Sequence, residues 1–109
     1  MKKIKNGLPE GATLGQLQRY IEATAKERGF GNQNALQKCL ILGEEVGELF
    51  KAIRKEEKMP IGLHSKVGTI EEELADVLLY VCSIASYYGV DLEKAFRAKD
   101  KVHSKRIWR

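Results

Sequence analysis

Apolar residues recur along this chain at the three-and-four spacing of helices, and no stretch shows the two-residue alternation of a strand. Leu14, Leu17, Ile21 and Thr24 or Ala25 set the first line and predict a helix over about 14–29. Thr13 stands before it as a cap, with Gln16 where a capping box needs it, and Gly29 and Gly31 in RGFGNQN break it. A longer helix is expected over about 34–58, with Leu36, Cys39, Leu42, Val46, Leu49, Phe50 and Ile53 as its buried stripe. Gly43 and Gly47 adjoin that stripe, each costing roughly 1 kcal/mol against alanine, which close approach of another helix would offset.

KMPIGLHSKVG reads as a loop. Thr69, with Glu72 three residues on, caps a third helix over about 69–88, through Ile70, Leu74, Val77, Leu78, Val81, Ile84 and Ala85. Gly89 ends it, and Asp91 caps a fourth over about 91–106, carrying Leu92, Ala95, Phe96 and Val102. The expected fold is all-α, an antiparallel four-helix bundle forming one domain over 1–109. A chain this short buries a limited share of its surface, so the bundle is expected to be completed by dimerisation.

Composition narrows the setting. No apolar run reaches the roughly 18 residues of a membrane span, and the basic start MKKIKNGLPEG lacks the apolar stretch of a signal peptide. Cys39 and Cys82 lie in separate helical patterns without CxxC spacing, and read as buried free thiols of a cytoplasmic protein. The net charge of +4 is uneven: six Lys/Arg against Asp100 between Arg97 and Arg109 give that tail +5, leaving about −1 elsewhere. Such a tail suits nucleic acid, or a small anion held between it and the rest.

The acidic residues change the picture most. Glu44, Glu45 and Glu48 crowd one third of the second helix, and Glu73 and Asp76 stand three apart on the third. Both sets border the apolar stripes, so packing the two helices would bring them together. Two unit charges about 5 Å apart repel by roughly 3 kcal/mol at an effective dielectric near 20. Several such pairs would strain a domain stable by about 5–15 kcal/mol. The carboxylates must be spread into solvent, partly protonated, or neutralised by cations. With oxygen ligands alone, the cation favoured is Mg²⁺ or Mn²⁺ rather than zinc. A ferritin-like di-iron site would want Glu-x-x-His, and His64 and His103 fall outside both sets.

Glu44-Glu45-Val46-Gly47-Glu48, a 24-residue spacer, and Glu73-Leu74-Ala75-Asp76 form a bipartite EExxE…ExxD motif. With EEVGEL and ELADVLLYV around it, the chain from about Leu14 to its C-terminus resembles the MazG-type nucleoside triphosphate pyrophosphohydrolases of the all-α superfamily. The resemblance implies a (deoxy)nucleoside triphosphate substrate, with metal-activated water attacking the α-phosphorus to release pyrophosphate and the monophosphate. It implies Mg²⁺, with Mn²⁺ as a substitute, on Glu45, Glu48, Glu73 and Asp76. Glu44 and Glu45 are the catalytic candidates, Glu44 either as base or as a support behind the ligands.

Tyr80 would face the nucleotide and Phe30 would cover the base, while Gln37 and Lys38, two turns before the glutamates, would reach base or sugar. Relatives carry K-x-x-x-N-x-x-R near the C-terminus. Here Lys99 and Arg106 match as phosphate contacts, and His103 replaces the asparagine. The implied assembly is a homodimer or homotetramer. The competing reading is a nucleic-acid- or nucleotide-binding helical module without catalysis, its basic tail carrying Trp108. Nucleic acid is disfavoured because the tail has no recognised reading motif, and no P-loop is present.

Overall fold

A computed structural model of the chain describes residues 7–62 and 64–105. It is all-α, with no strand among the described residues: α1 Leu14–Glu27, α2 Ala35–Glu56, α3 Ile70–Tyr87 and α4 Leu92–Ser104. The helices fall into two compact units, one of residues 33–84 and one of the residues up to 32 together with those from 85 on. No single helix among the described residues is long and apolar enough to cross a membrane.

Local chemistry sets the helix ends. Thr13 caps α1 in the expected box with Gln16, and Asp91 caps α4 by accepting from the Lys94 amide at 3.0 Å. Before α3, the Glu72 amide donates to the Thr69 hydroxyl at 3.1 Å, and the Thr69 amide donates back to the Glu72 carboxylate at 3.2 Å. The start of α2, expected near residue 34, is Asn34 boxed with Gln37. Three helices end alike. The amides of Phe30, Met59 and Val90 reach back to the carbonyls of Ala25, Arg54 and Ala85, around a residue with positive φ. That residue is Gly29 and Gly89 in two cases but Lys58, at φ 58°, in the third.

In the 33–84 unit, α2 and α3 run antiparallel. The Lys38 ammonium donates to the Ser83 hydroxyl at 2.7 Å. Seven residues forward on α2, Glu45 meets Asp76, seven residues back on α3. The face that α2 turns inward is only part of the expected stripe. Lys38 and Ala52 are buried, with Leu42, Glu45, Val46 and Leu49 half-buried, while Leu36, Cys39, Phe50 and Ile53 are exposed. On α3, Leu74, Leu78 and Val81 are exposed, and Glu73, Cys82 and Ser83 are buried. Both helices are apolar on more than one side, so periodicity alone does not say which side faces inward. Of the two thiols expected to be buried, only Cys82 is, and burial raises its pKa. Cys39 is exposed because it lies beside Leu36 and Leu40, on the outward side of α2. Among the described residues nothing comes within 4 Å of a Cβ placed on Gly43 or Gly47, so the close helix approach expected there is not made by them.

The other unit joins α1 to α4 and to the turn before it. Gln18 is buried on α1. Its amide nitrogen donates to the Val90 carbonyl at 2.6 Å and the Ser86 hydroxyl at 3.2 Å, and its oxygen accepts from the Leu92 amide at 3.0 Å. Ile21 and Thr24 are buried one and two turns on. Phe96 and Val102, expected inside, are exposed on α4.

Candidate metal centre

The α3 cap places the first carboxylate. With Thr69 as the cap, Glu73 is the fourth helical residue and Asp76 follows on the same side one turn later. Glu45 comes from the middle of α2. One oxygen each from Glu45, Glu73 and Asp76 lies within 4.8 Å of the others. Glu73 is buried, Glu45 half-buried and Asp76 exposed.

Burial above all raises the pKa of Glu45, followed by the charges of Asp76 and Glu73, a hydrogen bond with Asp76, and Glu48. Glu73 is raised by burial, then by Asp76, Glu48 and Glu72. Among the described residues none of the three joins an ion pair, while the neighbouring Glu48 pairs with Lys51. Three converging hard oxygen donors with uncompensated charge fit a hard divalent cation.

The other candidates fall as follows. Glu48 is half-buried and pairs with Lys51 at 3.6 Å, close enough to act on both raised carboxyls but outside the group of three. Glu44 is exposed beside Glu45. Tyr80 is half-buried one turn after Asp76. Lys38, on Ser83, lies two turns from Glu45 along α2, about 10 Å. Gln37 is exposed, with its side-chain oxygen accepting from the Asn34 amide at 2.9 Å, so it works as a cap. Phe30, Lys99 and His103 are exposed and belong to the other unit, and Arg106 lies outside the described residues. Ser83 was missed, although it stands as far beyond Asp76 as Lys38 stands before Glu45.

Fold and acidic centre together place the chain among all-α proteins that carry a two-helix carboxylate motif. The MazG nucleotide pyrophosphohydrolase domain matches residues 32–108, and the chain belongs to that family. It is an enzyme, a nucleoside triphosphate pyrophosphohydrolase. The crystal structure of Ntag-iMazG from Vibrio DAT 722 is similar at TM-score 0.66 and 35% identity, over 90% of this chain and 100% of that one. The Ctag-iMazG structure from the same source is similar at 0.63 and 34%, over 85% and 99%. No curated protein matches the chain.

Proposed function

We propose that the chain hydrolyses a (deoxy)nucleoside triphosphate to the monophosphate and pyrophosphate, with Mg²⁺, or Mn²⁺ in its place, held by Glu45, Glu73 and Asp76 and with Glu48 beside them. The observation that carries this reading is the convergence of the three carboxylates from both halves of the bipartite motif. A bound Mg²⁺ offsets charge on phosphate oxygens and lowers the pKa of a water. Burial and neighbouring carboxylates raise the pKa of Glu45 and Glu73, and a divalent cation between them would relieve that repulsion. Glu44, exposed at the next position, is the proton acceptor in reach of solvent. Lys38 and Tyr80 lie on the same helix pair and would contact the base or sugar.

The working form is a homodimer. Leu36, Leu40, Gly43, Gly47 and Phe50 are spaced four, three, four and three along α2, the repeat of a helix–helix seam. Those leucines and Phe50 are exposed, the glycines are open to close approach, and Leu74, Leu78 and Val81 repeat the spacing on the outside of α3. A second copy covers both lines with the same surface. Pyrophosphate release measured over natural and modified triphosphates with Mg²⁺ tests the activity. No release from any of them, by protein that is dimeric in sedimentation, would overturn it.

A further inference from the structure

Glu73 lies against a glycine outside the acidic motif. Thr69 caps α3, so Gly68 is the residue before the cap and Glu73 is the fourth residue of the helix. In many helices those two positions carry apolar side chains that pack on each other and fix the entry of the chain. Here the pair is a glycine and a carboxylate. A Cβ on Gly68 would lie 3.3 Å from the Glu73 Cδ, 3.7 Å from its Cγ, and closer still to Oε1, inside any permitted contact.

The backbone does not require this glycine. Gly68 is not among the residues with positive φ, so alanine fits its conformation. What the glycine supplies is room. The colliding atoms are the end of a flexible side chain rather than backbone, so the helix and its cap survive a Cβ while the carboxylate moves away.

The geometry points to Gly68 as a positioning residue: by leaving the staple position empty, it lets the Glu73 carboxylate fold back into reach of Glu45 and Asp76. This rests on the reading of that centre as a divalent-cation site. It adds a requirement that the EExxE…ExxD motif does not contain, a small residue five places before the second motif's glutamate.

The test is Mn²⁺ binding to the full chain, followed by the electron paramagnetic resonance of free Mn²⁺, for the wild type, Gly68→Ala, Glu73→Gln and the double variant, with metal-free thermal unfolding of each. Gly68→Ala should bind Mn²⁺ about tenfold or more weakly, the size of effect seen for residues that orient metal ligands, and should unfold as the wild type does. In the Glu73→Gln background, Gly68→Ala should change Mn²⁺ affinity no further, because its effect passes through that carboxylate.

If Glu73→Gln weakens binding while Gly68→Ala binds like the wild type, the positioning role is wrong and the cation site stands. An equal loss from Gly68→Ala in both backgrounds, or a Gly68→Ala chain that fails to fold, also overturns it. A wild-type chain that binds no Mn²⁺ overturns the cation site and this role with it.

Discussion

Gln18 in one unit and Glu73 in the other are equally buried, at 8% exposure each, yet their surroundings treat them differently. Gln18 meets two acceptors and a donor at 2.6–3.2 Å, so its burial is matched bond for bond. Glu73 is buried beside Asp76, Glu48 and Glu72, all of its own sign, and its pKa rises. A buried polar group whose partners are all in the chain holds the fold. One whose neighbours repel it needs something from outside. The contrast agrees with the proposed site in the 33–84 unit and with a structural role for the Gln18 network.

The contrast breaks most visibly under substitution. Glu73→Gln or Asp76→Asn should lower pyrophosphate release by about 100-fold or more while the metal-free chain unfolds at the same temperature or higher, since a repulsion has been removed. A loss of stability in step with activity would put Glu73 in the same class as Gln18. Gln18→Ala should do the reverse, destabilising by about 2 kcal/mol in a urea titration because the Val90 carbonyl and Leu92 amide lose their partner. Mn²⁺ affinity of that variant, measured where it is folded, should be unchanged.

Acidity separates the units further. Glu45 and Glu73 are raised above their ordinary 4.5, so the folded chain holds these protons more tightly than the unfolded one. Their contribution to stability is present below 4.5 and is lost as pH rises through the raised values. The metal-free wild type should therefore lose stability over that window relative to Glu45→Gln/Glu73→Gln, and saturating Mn²⁺ should remove the difference. The Gln18→Ala penalty, which involves no titrating group, should not vary with pH.

The smallest effect lies at the helix ends. Lys58→Gly, at the positive-φ end of α2, should stabilise by up to about 1 kcal/mol, and Gly29→Ala, at the matching end of α1, should destabilise by about as much. Thermal melts that showed no difference in sign would mean that Lys58 is held by interactions glycine cannot replace.

Much of this could be read from the chain. Thr13, Thr69 and Asp91 are the caps expected of them, because capping depends on residues three apart. The convergence of Glu45, Glu73 and Asp76 follows from two short motifs, each with its own helical register. What could not be read depends on choosing between faces. α2 is apolar toward Leu36, Leu40 and Phe50 as well as toward Leu42, Val46 and Leu49, and the pattern does not say that Lys38 lies on the inner side. The room at Gly68 was hidden for another reason. A staple position is read for apolar pairs, and here its meaning lies in a missing side chain.

The Gln18 network also bears on the order in which the chain folds. Its Leu92 bond closes a loop of 74 residues, which costs an open chain roughly 4 kcal/mol of closure entropy before any contact is made. The 33–84 unit is one unbroken segment and needs no closure of that length to form. Once it has, most of the span that Gln18 must bridge is already compact. Loop closure thus favours an order in which the acidic unit forms first, and α1, capped by Thr13, follows with the residues that complete its own unit.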